Sequence, residues 1–224
     1  MPLTRYGRDV WLPIIIIALV LGGGFALLHW WIVVALIVIL TFALLSFFRD
    51  PIRRIPGNLA QGDMLSPADG VVSAVFDVEH HEATGSPAKV IRIFLSVLNV
   101  HVNRSPCDAE VVSLHPKPGQ YLNAQTDESA DVNESNLIVL KTSVGGVKDE
   151  RIGVRQVSGM LARTIVCPIK SGDRLSRGQK FGMIKFGSTT ELILPRPNNV
   201  IAHVKKGDKV RGGLTLFATL KPPT

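Results

Sequence analysis

The chain has 224 residues, a formal charge of +7 and 46% hydrophobic residues. Its lysines and arginines are scattered and lack an aromatic-interleaved patch, which argues against a nucleic-acid surface. The two cysteines, Cys107 and Cys167, have no metal-site spacing and are too few for a disulfide framework, so they read as reduced core residues of a cytoplasmic domain.

The apolar residues crowd the N-terminus. Between Val10 and Phe48 there is no Lys, Arg, Asp or Glu, and a hydrocarbon core asks for about 20 apolar residues per helix. The segment therefore has the length for two spans, Trp11 to Leu28 and Trp31 to Phe48, with His29 and Trp30 at the turn and tryptophans at interface depth. One tilted span or a re-entrant hairpin are the alternatives, with Gly22-Gly23-Gly24 as a bend or a close-packing face. A cleaved signal peptide is disfavoured, since its apolar region runs to roughly 7–15 residues. Arg5 and Arg8 precede the hairpin and Arg49, Arg53 and Arg54 follow it. Both flanks then face the cytoplasm by the positive-inside rule, and an anionic leaflet attracts each juxtamembrane cation by about 1 kcal/mol. This places the protein at the cell membrane, with residues 1–50 as anchor.

From Pro51 onward, short β-branched runs alternate with Gly, Pro, Asn and Asp. The spacing predicts strands at Gly70 to Phe76, Lys89 to Leu95, Glu110 to Leu114, Asn136 to Thr142, Arg151 to Val157, Lys180 to Phe186, Glu191 to Leu194 and Leu214 to Leu220. It predicts a short helix at Ser158 to Ile165 and an exposed loop from Asn123 to Asn136. Residues 51–224 thus form one β-rich α+β domain, an orthogonal sandwich or barrel-like fold. Lys170-Ser171-Gly172-Asp173 through Gly178 resembles Lys205-Lys206-Gly207-Asp208 through Gly213. Each supplies turn chemistry before a strand, as in lipoyl-like adaptor modules.

Phe186-Gly187-Ser188-Thr189-Thr190 lies between two apolar runs. In isolation it reads as a turn. Mechanistically, glycine leaves its carbonyl uncovered for attack by the following hydroxyl. The ester so formed eliminates across the serine Cα and Cβ, and hydrolysis of the product leaves a ketone, a pyruvoyl group, at the new N-terminus. That ketone condenses with an amine as a Schiff base and draws electrons from a departing carboxylate, the role pyridoxal phosphate plays elsewhere. His80-His81-Glu82 has no third ligand spaced nearby, and His115 and His203 read as structural, so no metal site is expected.

Four segments carry a resemblance: Ser66-Pro67-Ala68-Asp69-Gly70, Phe94-Leu95-Ser96 through His101-Val102-Asn103-Arg104-Ser105-Pro106, Gln156-Val157-Ser158-Gly159 through Arg163, and Phe186-Gly187-Ser188-Thr189. In this order they resemble the phosphatidylserine decarboxylase proenzymes, particularly the short, archaeal-type branch. The resemblance implies self-cleavage at Gly187-Ser188 into a β chain, 1–187, and an α chain, 188–224, which remain together as a heterodimer. It implies pyruvoyl-dependent conversion of phosphatidylserine to phosphatidylethanolamine. Ser188 maps to the pyruvoyl precursor, His101 to the acid-base histidine and Asp69 to the acid of the Ser-Pro-x-Asp-Gly motif, a candidate to orient the imidazole. Some longer members carry a second histidine where this chain has Arg104. Arg104 and Thr189 are therefore candidate substrate contacts, the guanidinium suiting a carboxylate or phosphate. Phe186 replaces a leucine common in the family. A pyruvoyl enzyme for a soluble amino acid and a non-catalytic lipoyl-like adaptor at the membrane are the other readings.

Overall fold

The structure is a computed structural model and describes residues 2–123, 127–144, 147–160, 164–185 and 188–223. The chain divides into two compact units, Met1–Ile52 and Arg53–Thr224.

The first unit is a pair of apolar helices, α1 (Arg8–Leu27) and α2 (Trp31–Phe47), preceded by a 3-10 turn at Arg5–Gly7. His29 sits between them in the left-handed region, φ 61°. The glycines do not bend α1, which runs continuously through Gly22, Gly23 and Gly24, nor do they form a packing face. An added Cβ would meet nothing within 4 Å at any of the three. The ends of the pair are tied instead: Thr4 N–H donates to Phe48 O at 2.8 Å, Asp50 N–H to Pro2 O at 2.9 Å, and Trp11 Nε1 to Thr4 O at 2.9 Å. No residue of α1 is buried. Its apolar side chains are exposed or half-buried, a pattern that fits a membrane or partner-covered helix better than one in water. The stretch Arg5–Leu27 is long and apolar enough to cross a membrane, and Trp31–Phe47 is shorter.

Among the described residues the second unit has fourteen strands. Eight form one antiparallel sheet in the order β13-β2-β3-β11-β7-β6-β5-β9: β2 (Gly70–His81), β3 (Ser86–Leu95), β5 (Ala109–Lys117), β6 (Ser135–Val144), β7 (Val147–Val157), β9 (Arg174–Leu175), β11 (Ser188–Pro195) and β13 (Lys209–Val210). Two three-stranded sheets flank it. One is β1 (Asp63–Leu65), β14 (Leu216–Leu220) and β12 (Val200–Ala202); the other is β4 (Val102–Arg104), β10 (Lys180–Lys185) and β8 (Thr164–Val166). Alternation along the strands puts Ile91, Ile93, Leu192 and Leu194 in the main core and Val90 and Ile193 in a second cluster on the opposite face.

Two local expectations fail. The helix expected over Ser158 to Ile165 is overturned where described: Thr164 and Ile165 belong to β8, opposite Lys185 and Ile184, because β-branched Thr-Ile-Val packs better on a pleated surface. The loop expected from Asn123 to Asn136 contains a short helix, α3 (Asp127–Val132), and runs into β6.

The repeat visible in sequence is the surface of a larger duplication. Ser66-Pro67-Ala68-Asp69-Gly70 and Ser105-Pro106-Cys107-Asp108-Ala109 are its second pair of arms. Leu65 N–H donates to Pro106 O and Arg104 N–H to Pro67 O, each at 2.9 Å, so the two arms cross reciprocally. Ser66 Oγ donates to Ala68 O as Ser105 Oγ does to Cys107 O, both at 2.7 Å. Gly213 N–H donates to Ser66 O and Gly178 N–H to Ser105 O, both at 2.8 Å. The Lys-x-Gly-Asp turns match as well: Asp173 Oδ2 accepts from Lys170 N–H and Asp208 Oδ2 from Lys205 N–H at 2.8 Å. Register shifts fall at Val72/Ala74 in β2 and at Val111/Ser113 in β5. The eight-stranded order is accordingly symmetric about the β11-β7 junction, and the two small sheets are counterparts. The two halves point opposite ways along the sheet.

Candidate active site

All four motif segments reach one end of the large sheet, and the antiparallel register shows why. β2 begins there at Gly70, β3 ends there at Leu95, β11 begins at Ser188 and β7 ends at Val157. Ser188 lies opposite Leu95, Thr189 opposite both Phe94 and Val157, and Phe94 opposite Val71. Phe186, Gly187 and residues 161–163 lie outside the described residues, so the segments are followed up to those points.

Ser188 opens β11, a strand buried along its full length. It is 0% exposed, and neither its hydroxyl nor that of Thr189 has a hydrogen-bond partner among the described residues. Leaving a buried hydroxyl without a partner costs on the order of 1–3 kcal/mol. Such an orphan at the position expected to react is a functional signal.

His101 follows a turn whose shape is set by Asn99, which accepts from Ser96 N–H at 2.9 Å and Ser96 Oγ at 2.8 Å. The imidazole is fully buried, and Nδ1 lies 2.9 Å from Asn99 O. A carbonyl oxygen only accepts, so Nδ1 carries a proton, which in the neutral tautomer leaves the lone pair on Nε2. His101 O accepts from Ile184 N–H at 3.3 Å. This ties the histidine to β10, which runs into the 186–188 junction.

Asp69 stands just before β2 with its own set of partners. Its oxygens accept a fork from Arg53, at 2.5 and 2.7 Å, and Gly212 N–H at 2.8 Å, while His101 Nδ1 meets the Asn99 carbonyl. Gly70 is required next to it, since a Cβ there would strike Phe94 O and come within 2.7 Å of Ile93 Cγ2. Arg104 is 4% exposed and donates from NH1 to Gly178 O at 3.0 Å. Its stem packs where a Cβ on Gly213 would fall, 2.9 Å from Arg104 Cδ. The guanidinium braces the crossing of the two arms.

A chain of buried amides, unnoticed in the sequence, runs beneath the serine. Asn136 Nδ2 donates to Gln156 Oε1 at 3.2 Å, Gln156 Nε2 to Asn103 Oδ1 at 2.9 Å, and Asn103 Nδ2 to Thr190 Oγ1 at 3.0 Å. Asn103, Gln156 and Thr190 are each 0% exposed. The chain joins β6, β7, β4 and β11, so it fixes the strand bearing Ser188 relative to the segment bearing His101. Asn103 and Gln156 do not stand out in sequence, because β4 and β7 also carry charged residues such as Arg104 and Arg155. On the other face, Glu191 is held by Arg92 at 2.7 Å and Arg155 at 3.4 Å.

Three of the other histidines are engaged locally, and both cysteines are at least partly buried. His81 Nδ1 accepts from Ala83 N–H at 3.1 Å and burial lowers its pKa; His115 pairs with Ser113 Oγ and His203 with Thr219 Oγ1, both at 2.8 Å. Burial pushes the Cys107 thiol up to about 12 and Cys167 to about 11. A cavity of about 610 Å³ lies at the opposite end of the sheet and is lined by Asp108, Glu110, Lys141, Asp149, Arg174 and Arg177. It shares none of the motif's candidate residues.

A β-rich domain with a buried serine whose hydroxyl has no partner among the described residues, and a fully buried histidine bonded to the strand that precedes it, fits an enzyme of nucleophilic or self-processing type. The family model for phosphatidylserine decarboxylase matches residues 40–218. Relatives named phosphatidylserine decarboxylase proenzyme include one from Solidesulfovibrio magneticus, 39% identical over 97% of each chain, and one from Carboxydothermus hydrogenoformans, 37% identical over 98% of each. Another, from Symbiobacterium thermophilum, is 43% identical over 86% of this chain and 85% of its own. The chain belongs to the phosphatidylserine decarboxylase family, a family of carboxy-lyases, which removes the non-catalytic adaptor reading.

Proposed function

We propose that this protein is a membrane-anchored phosphatidylserine decarboxylase that cuts itself between Gly187 and Ser188 and forms phosphatidylethanolamine. The observation that carries the reading is the buried Ser188 hydroxyl, without a partner among the described residues, at the sheet end where the Asp69, His101 and Gln156-to-Met160 segments also arrive. His101 Nε2 takes the hydroxyl proton as Ser188 Oγ attacks the carbonyl carbon of Gly187. The 187–188 C–N bond breaks, the serine nitrogen is protonated, and an ester joins the two residues. Loss of the Ser188 Cα proton with cleavage of Cβ–O releases the residue 187 carboxylate, and water then displaces ammonia from position 188. The buried chain has the features such a group needs: a serine sealed from solvent, an amide chain holding its strand, and a histidine on a rigid turn.

A pyruvoyl group at position 188 supplies the electron sink for loss of carbon dioxide. The chain's own residues do the rest. His101 moves the proton onto the product carbon, Thr189 offers its hydroxyl to the substrate, and Arg104 and the Arg53–Asp69 pair hold the framework. The apolar helices keep the enzyme at the cell membrane, and the flanking arginines favour the cytoplasmic side. The lipid substrate fits this anchoring better than a free amino acid does.

Intact-mass measurement of purified protein tests the reading. Two fragments are expected, 1–187 and 188–224, the smaller lighter by one ammonia than a serine-initiated peptide. Ser188→Ala should leave a single chain without activity, and Ser188→Cys should process slowly. A single full-length chain in active enzyme sinks the mechanism; release of carbon dioxide from free serine but not phosphatidylserine sinks the substrate.

A further inference from the structure

The large exposed apolar side chains of the second unit are unevenly placed. Among the described residues they are Val97 (44% exposed), Leu98 (81%), Tyr121 (36%), Met160 (57%) and Ile201 (40%). Four of these five belong to the end of the sheet where Ser188 sits. Val97 and Leu98 are in the turn leaving β3 at Leu95, and Met160 is three residues beyond Val157, where β7 ends. β3 and β7 are the two neighbours of β11, so the apolar turns stand roughly 10 Å apart, two interstrand spacings, astride Ser188. Tyr121 joins them through Asn133, which bonds Leu122 N–H at 2.8 Å and donates to Ser158 O at 2.9 Å. At the other end, the described β2–β3 turn presents Glu82 and Gly85 to solvent.

The geometry points to these turns as a lipid-docking face: Val97, Leu98 and Met160 enter the headgroup–acyl boundary and bring an anchored lipid's headgroup to the serine. The inference rests on the lipid-substrate reading above. The Val97–Leu98 turn is held in shape by Asn99, so the side chains project from a rigid base. A second copy of the chain is the weaker occupant. Four side chains on protruding turns give far less surface than the ~800 Å² per partner of a stable interface, whereas shallow insertion needs only a few apolar groups with an amphipathic ring beside them. The chain also carries, by covalent connection, a helix long and apolar enough to cross a membrane.

The test uses the full chain in nanodiscs of phosphatidylcholine and phosphatidylglycerol, with Cys167→Ala removing the half-exposed thiol. An environment-sensitive fluorophore is attached at Leu98→Cys, and at Glu82→Cys on the far turn as control. Shallow nitroxide lipids should quench the label at 98 about threefold more than at 82. Equal quenching overturns the proposal, as does a spectral shift at 98 that follows protein concentration and not lipid, which would give the face to a second copy. A second arm replaces Val97 and Leu98 with Ser. Decarboxylation of long-chain phosphatidylserine in vesicles should fall about tenfold, with a short-chain, dispersed substrate turned over as before; equal loss on both substrates counts against docking. If the unaltered enzyme acts on neither substrate, the functional reading fails, while the quenching still decides the docking face.

Discussion

Asp69 and Asp108 occupy equivalent places in the two halves of the second unit, yet their surroundings diverge. Each carboxylate accepts a backbone N–H from the opposing turn, Gly212 at 2.8 Å for Asp69 and Arg177 at 2.9 Å for Asp108. Asp69 is 8% exposed and paired with Arg53; Asp108 is exposed, makes no ion pair among the described residues, and borders the open 610 Å³ cavity. The shared bond is architecture, inherited by both arms. What differs is the added guanidinium, and with it the sealing of one end of the sheet around a serine. The duplication therefore separates what the fold requires of this motif from what the site adds.

Replacing each aspartate in turn gives the largest contrast. Asp69→Asn strands Arg53 in a buried position, and breaking a buried pair costs about 3–5 kcal/mol. Thermal unfolding should show that loss, and a gel time course should show self-cleavage slowed at least about tenfold. Asp108→Asn should cost under about 1 kcal/mol and process normally; equal effects would refute the division. Next come the residues that follow. Gly70→Ala drives a methyl into Phe94 O and should destabilise by about 1–3 kcal/mol, whereas its counterpart change, Ala109→Gly, should cost about 0.5–1 kcal/mol through backbone entropy. Gly172 and Gly207 have φ of 89° and 96° with nothing within 4 Å of an added Cβ. Their alanine variants should lose about 1–2 kcal/mol each, equal within error, from left-handed strain alone. Unequal losses by denaturant titration would show that the turns are not equivalent. Smallest of all, Cys107→Ala makes the second arm read like the first, which has Ala68 there. It gives up a 3.6 Å contact with Thr142 Oγ1 and should cost under about 1.5 kcal/mol with processing unaltered.

Much of this architecture is legible before folding because the strands follow local rules. Lys89 to Leu95 and Asn136 to Thr142 are β-branched runs bounded by turn residues, and both are strands of the large sheet. The Lys-x-Gly-Asp turns announce themselves in the same way. Short edge strands such as Arg174–Leu175 do not, since two residues carry no period. The partner of Asp69 was invisible for another reason. Arg53 is 16 residues away in sequence and reads as a juxtamembrane cation, and only the register of the arms shows that it turns inward. The reciprocal crossing at Pro67 and Pro106 is likewise a long-range backbone arrangement, although Ser-Pro-x-Asp stands twice in the sequence. The amide chain from Asn136 to Thr190 depends on four strands meeting and has no linear signature.

The place of β11 in the sheet has a consequence for timing. The strand that begins with Ser188 lies between β3 and β7 and buries Leu192, Ile193 and Leu194 completely, each side chain favouring that position by roughly 2 kcal/mol. Until it docks, the two neighbours on either side have no partner at the centre of the sheet. Ser188 therefore meets the surroundings proposed to activate it only once the strands on both sides have formed and paired with its own. Self-cleavage would then act as a checkpoint on completed folding, and truncated or misfolded chains would remain uncut.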